Sequence, residues 1–207
     1  MRLSYRASIL STRAKCRCKD RLAIVLTATD ALDPPPARIA IAGAPGAGKT
    51  TLAGRLASAL DIEAVELDAL AHGPGWTIRP EFAADVAAFT AGERWITEWQ
   101  FDDVRPVIAA RADTLVWLDL PTALIMTRLV HRTVANRRHR TTLWAGNVEP
   151  PLWTVFTEPN HMVRWGYRSI RVVGDQVSAA QSEHPDLRIV RLRSRSDVDE
   201  FVRRRRL

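Results

Sequence analysis

Cysteine is missing from this 207-residue sequence after position 18; the two present, Cys16 and Cys18, both lie in the N-terminal arm. Residues 37–207 therefore form no disulfide and no thiolate zinc site. No apolar run approaches the roughly 20 residues that a membrane-crossing helix needs. No internal repeat is visible, which removes solenoid architectures. The histidines, His72, His131, His139, His161 and His184, show no metal-ligand spacing and read as surface or packing residues. Lysine is scarce too. Lys15, Lys19 and Lys49 are the only lysines among 30 basic residues, so Lys49 is the one ammonium beyond residue 19.

What is present suits one ordinary domain with a real core. Hydrophobic residues make up 46% and charged residues 26%, as in soluble globular proteins. The net charge of +7 is uneven. Residues 1–36 hold seven basic and three acidic residues, whereas 37–207 hold 23 and 20. The domain proper is only mildly basic, so the high pI is not the footprint of a nucleic-acid binder. The Arg- and Ser-rich start, MRLSYRASILSTRAKCRCKD, reads as a transit peptide, a disordered arm or a start codon set too early. Residues 1–36 are set apart as an extension, and Pro34-Pro35-Pro36 forms a stiff spacer before a domain at 37–207.

Within that domain, strands are expected at RIAIA (38–42), 64–67, RWIT (94–97), TLVWL (114–118) and RIVRL (188–192). Helices are expected from Lys49, with Leu52, Leu56 and Leu60 four apart, and from Pro80 to Gly92. More are expected at 104–110, from Pro121 with Leu124, Ile125, Leu129 and Val130 inward, from Pro159 through Trp165, and at 198–203. This alternation predicts an α/β fold with a parallel sheet of about five strands, and ligands at the strands' carboxyl ends. Those ends present Asp68, Glu98, Asp119 and a glycine loop.

That loop, Gly43-Ala44-Pro45-Gly46-Ala47-Gly48-Lys49-Thr50, followed by Thr51, fits G-x-x-x-x-G-K-[ST] in full, between a strand and a helix. Glycines let backbone N–H groups ring a phosphate, and the helix directs its positive end at the same anion. A slim lysine runs along a phosphate chain where arginine's fork would crowd it, and the Thr50 hydroxyl suits Mg²⁺. The pattern predicts a P-loop NTPase three-layer fold that binds a nucleoside triphosphate, ATP with Mg²⁺, through residues 43–51.

Glu98 and Asp119 compete for the metal-side carboxylate. Asp68 either orients an acceptor hydroxyl or caps a helix. Arg128 and Arg132 share a helix face and open a run with Arg137, Arg138 and Arg140. Such a run stabilises a transferring phosphoryl group, forms a solvated basic face, or contacts nucleic acid. With the loop at 141–157 it makes a lid segment at about 132–157. Trp76 and Trp99 lie just past strand-end acids and are placed to wall a pocket.

GAPGAGKTTLAGRL, LDALAHGPGW, RWITEWQF, ADTLVWLDLP and the arginine-rich stretch from 128 resemble the DNA topology modulation protein family, P-loop proteins akin to adenylate kinase and shikimate kinase, over about residues 38–205. DLPTALIMTRLVHR also resembles the acid-x-Pro and R-x-x-x-R spacing of adenylate kinases. The resemblance implies that Arg128 stacks on the ATP base, that Arg132 touches phosphate, and that Glu98 serves the metal while Asp119 is more structural. Many relatives carry Asp-Gly-Asn-Tyr where this chain has Glu98-Trp99-Gln100-Phe101, so the acceptor does not carry over.

The expectation is a cytoplasmic, Mg·ATP-dependent small-molecule kinase of the adenylate kinase-like group, with Lys49, Asp68, Glu98, Arg128 and Arg132 as its working side chains. A regulatory or nucleic-acid-associated ATPase, for which the basic arm and Arg203–Arg206 speak, and a nucleotide-binding module without turnover are the alternatives.

Overall fold

A computed structural model of the chain describes residues 25–148, 150–158 and 161–205. Residues 1–24 with both cysteines, the helix-opening Pro159, and Arg206 of the terminal arginine run lie outside the described residues.

Six parallel strands form one sheet: β1 (Val25–Leu26), β2 (Arg38–Ala42), β3 (Ala64–Val65), β4 (Trp95–Glu98), β5 (Thr114–Leu118) and β6 (Arg188–Leu192), in the order β1-β6-β5-β2-β4-β3. The sixth strand comes from the segment read as an extension. β1 pairs with β6, Leu26 and Leu32 pack on the core, and Ala28 is buried in it. Arg205 and Arg188 hold this segment further, donating to the Asp30 and Pro34 carbonyls.

β2 shows why the sheet has helices on both sides. Ile39 and Ile41 face a cluster with Leu52 and Leu56 of α1 (Lys49–Leu60) and with Phe201 and Val202 of α7 (Arg195–Arg203). Ala40 and Ala42 face the other cluster, built from α2 (Leu67–Ala71), α3 (Phe82–Thr90), α4 (Arg105–Arg111) and α6 (Met162–Glu183). A strand buried on both faces is apolar throughout, as RIAIA is after its first residue. Each fully buried Ile or Leu here contributes about 1.5–3 kcal/mol.

Several elements differ from expectation. β3 stops at Val65 because Leu67 and Ala71, four apart, bury as one helical face. Asp68 thus lies in the first turn of α2 and neither ends a strand nor caps the helix. α3 begins at Phe82, two residues after Pro80; Arg79 is tied to α2 through its N–H to the Ala71 carbonyl, 2.9 Å. α5 (Thr122–His139) buries Ile125, Leu129 and Thr133, leaving Val130 exposed. The last of the large helices, α6, runs 22 residues, far beyond Trp165. Gly166 lets it approach α5, for a Cβ there would lie 2.4 Å from the Leu129 side chain.

Candidate active site

The glycine loop leaves the carboxyl end of β2 and turns into α1. Gly46 and Gly48 take φ of 88° and 99°, conformations that side-chain-bearing residues adopt at a cost. Gly46 is also squeezed: a Cβ would sit 2.6 Å from the Ile125 carbonyl oxygen. Gly48 caps α1 without any side-chain hydrogen bond, and no acid lies in the first turn. The helix therefore presents its positive end to the loop, the arrangement that attracts phosphate.

Lys49 is buried at 9% exposure, and its Nζ stands 3.7 Å from Oε2 of Glu98, itself 3% exposed. The Thr50 hydroxyl donates to Glu98 Oε1. Sheet register brings them together: Glu98 ends β4 opposite Ile41 of β2, two residues before Gly43 opens the loop, and the Trp99 N–H holds the Ile41 carbonyl at 2.7 Å. Burial pushes the Lys49 ammonium down, with Glu98 and Asp68 opposing. Burial likewise pushes the Glu98 carboxyl up, against Lys49 and the Thr50 hydroxyl. Each charge is held mainly by its partner, and additional charge at the site would shift both.

Asp119 is occupied elsewhere. Its Oδ2 accepts from Arg191 Nε at 2.8 Å and Nη2 at 2.5 Å, and that guanidinium also lies 4.4 Å over the Trp117 ring. Asp68 is near enough for its charge to act on both Lys49 and Glu98, and its Oδ1 lies 3.6 Å from His72 Nε2. Arg128 brings Nη1 to 3.9 Å from the Cβ position of Gly48, while the charge of Arg132 bears on Lys49. The structure thus gathers Lys49, Thr50, Glu98, Asp68, Arg128 and Arg132 around the loop and leaves Asp119 tied to β6.

A cavity of about 280 Å³ opens beside Lys49. Gly43 and Pro45 of the loop, Trp99, Gln100, Asp102 and Arg105 beyond β4, and Trp165, Arg168, Ser169, Val172 and Gln176 of α6 line it. Trp99 is buried, and its Nε1 donates to the Arg105 carbonyl at 3.1 Å. Sequence reasoning found Trp99 but missed the α6 wall. The signal was there: Trp165, Ser169, Val172 and Gln176 recur at helical spacing, in a stretch where Gly166 and Gly174 interrupt the apolar pattern.

The segment expected to form a lid contains two short 3-10 turns, Trp144–Gly146 and Leu152–Val155, after α5 ends at His139. The first turn is closed by a bridge between Thr142 and Val148; a similarly built turn, Pro74–Trp76, is closed by His72 and Ile78. Asn147 joins them. Its Oδ1 accepts from the Gly75 and Trp76 N–H groups at 2.8 and 3.2 Å, and its Nδ2 donates to the Gly73 carbonyl at 2.9 Å. His72, Trp76 and Trp144 pack around this junction, so Trp76 belongs to the contact between the two turns and not to the cavity wall.

No protein-family model and no curated protein matches the sequence. Among solved structures, the chain is similar to a shikimate kinase from Acinetobacter baumannii in complex with shikimate, at TM-score 0.50 and 14% identity, over 81% of this chain and 89% of that one. A gluconokinase from Sinorhizobium meliloti 1021 aligns at TM-score 0.46 and 17% identity, over 82% and 89%. At such identity the first likeness is one of architecture: this chain has the three-layer P-loop kinase fold, with an all-parallel six-stranded sheet.

Proposed function

We propose that this protein is a cytoplasmic, Mg·ATP-dependent phosphotransferase acting on a small molecule, with a kinase domain that takes in β1 as well as residues 37–207 and with about 132–157 as its lid. The quoted sequence phrases support placing it with the topology modulation group of P-loop kinases. The observation that carries the reading is the convergence of Lys49, Thr50 and Glu98 on a loop whose helix opens with no acid in its first turn.

In this reading the loop amides of residues 43–48 and the first turn of α1 hold the β- and γ-phosphates, and Lys49 lies along them. The buried carboxylate of Glu98 and the hydroxyl of Thr50 are hard oxygen donors side by side, a set that fits Mg²⁺. Bound there, the metal would supply charge neutralisation for the phosphates. Arg128, beside Gly48, covers the base, and Arg132 faces the phosphates, where spreading negative charge needs cations. Asp68, in the field of Lys49, orients the acceptor hydroxyl and takes its proton. Since phosphoryl transfer depends largely on positioning and electrostatics, this set of groups is sufficient in kind.

The decisive test removes the ammonium. Lys49→Ala is expected to lower ADP release by at least about 10²-fold, the scale for losing a group that stabilises developing charge. Circular dichroism and a cooperative melt should remain. A Lys49→Ala protein with full turnover sinks the assignment.

A further inference from the structure

His72 follows the last residue of α2 and lies where three turns meet. Its ring stands 5.2 Å from that of Trp76 in the turn after α2, 5.8 Å from that of Phe101 in the turn after β4, and 5.9 Å from that of Trp144 in the 142–148 turn. The His72 N–H donates to the Asp68 carbonyl at 3.1 Å and so sets the two residues one helical turn apart, the spacing at which side chains meet. They do meet: His72 Nε2 lies 3.6 Å from Asp68 Oδ1, with the histidine side chain 16% exposed and the carboxylate 25%. Among the described residues, no other basic side chain comes within 4 Å of that carboxylate.

Packing alone does not account for an imidazole at this position. A phenyl ring would make the same three ring contacts without burying nitrogen. His72 Nδ1 is buried and has no hydrogen-bond partner, a cost to folding that native proteins seldom keep without a use. The other nitrogen has the occupation. A carboxylate only accepts, so the nitrogen that faces Asp68 carries the proton, and Nδ1 keeps a bare lone pair. That tautomer also buries the cheaper group, since a second N–H at Nδ1 would be an unpaired donor on a charged ring.

The carboxylate served in this way is one whose charge bears on both Lys49 and Glu98. At 3.6 Å the contact is longer than a closed hydrogen bond, as catalytic contacts often are before ligands bind and draw them tight. Trp144 brings the 142–148 turn into the same group of rings, so the histidine beside Asp68 is itself held by the segment that Asn147 fastens.

We propose that His72 is a positioning residue: its Nε2–H steers Asp68 through Oδ1 and leaves the second carboxylate oxygen to face the acceptor hydroxyl. The inference rests on the phosphotransferase reading above, in which Asp68 is the base, and adds what aims that base. The histidine touches no reacting atom. Its effect falls on kcat, because a carboxylate free to turn spends only part of its time in the geometry that transfer needs. Nucleotide binding, which depends on the glycine loop, is left alone.

The test uses the full-length protein with Mg·ATP. ADP release is measured in buffer alone and with a panel of sugars, nucleosides and hydroxy acids, and kinetics are taken on the fastest arm. His72→Phe keeps the ring contacts and removes the N–H; His72→Gln keeps an N–H at similar reach and removes the ring. His72→Phe should lower kcat at least about tenfold, leave the KM for ATP within about twofold and melt near the wild-type temperature. His72→Gln should melt lower yet recover kcat to within about threefold of the wild type. A packing histidine gives the reverse order. In an Asp68→Asn background, His72→Phe should cost less than about twofold more, because the group it steers is gone. Should His72→Gln fail to fold, this cycle alone decides. In the wild-type protein at alkaline pH, a two-bond proton–nitrogen correlation spectrum should place the imidazole proton on Nε2. Full kcat in His72→Phe, a loss that persists undiminished in the Asp68→Asn background, or a proton on Nδ1 overturns the positioning role and leaves the phosphotransferase reading standing. ATP binding by calorimetry without ADP release on any arm overturns the phosphotransferase reading, and this one with it.

Discussion

Lys49 carries charge where charge is costly. It is nearly sealed from water, and Glu98 is the only carboxylate within 4 Å of its Nζ among the described residues. Two carboxylates competed for the metal side in sequence, and they now separate by their partners. Glu98→Gln is expected to weaken Mg-dependent nucleotide binding and to lower kcat by at least about tenfold, because it removes the buried anion beside Thr50 and Lys49. Asp119→Asn should instead leave kcat within about twofold and lower thermal stability, since its oxygen serves Arg191. Steady-state kinetics and a melt on both variants check the contrast; equal kinetic damage from the two would refute it. At this scale much was legible. The glycine loop announced Lys49 and Thr50 by spacing alone. His72 was legible only as a surface or packing residue, because an orphaned nitrogen has no sequence signature; it is known only when everything around it has been placed.

Helix ends and helix lengths decided how the site is assembled. α7 opens with a capping box: Asp197 N–H donates to Ser194 Oγ at 3.0 Å, and Ser194 N–H returns to Asp197 Oδ2 at 3.0 Å. Ser194→Ala should cost about 1 kcal/mol in urea unfolding and leave nucleotide binding unchanged. The Arg193 N–H, with help from Ser194, holds the Asp197 carboxyl below its ordinary value. A carboxyl lowered on folding contributes stability above its unfolded pKa, near 4, and that contribution is lost as pH falls through the lower folded value. Asp197→Asn should therefore lower the melting temperature at pH 7, where the contribution is fully present, and flatten the profile below about pH 4, where the wild-type protein loses it too. Five strands were readable from apolar runs bounded by turns. α2 and α6 were the failures, for opposite reasons. Five residues at 67–71 are too few to show a period beside a strand. The 22 residues of α6 contain two glycines, one of them required for close packing on Leu129, and the pattern breaks where the helix does not.

For the whole molecule, the N-terminal boundary matters most. β1 covers the outer edge of β6, and Ala28 lies in the core with Leu26 and Leu32 against it. A chain starting at residue 37 should melt lower than the full-length protein and self-associate in light scattering, because a bared strand edge recruits another. Composition could not locate this boundary, since the arginine-rich start and the short β1 run together without a break. The segment proposed as a lid is tied to the turn after α2 by the amide of Asn147, and three hydrogen bonds of about 1 kcal/mol each make that tie. Asn147→Ala should speed proteolysis within 141–158 several-fold, read as the rate of nicking. The clasp sits on the turn that follows α2. Any outward swing of residues 142–148 must first unfasten that amide, so the segment's freedom is set by a latch in the turn after α2.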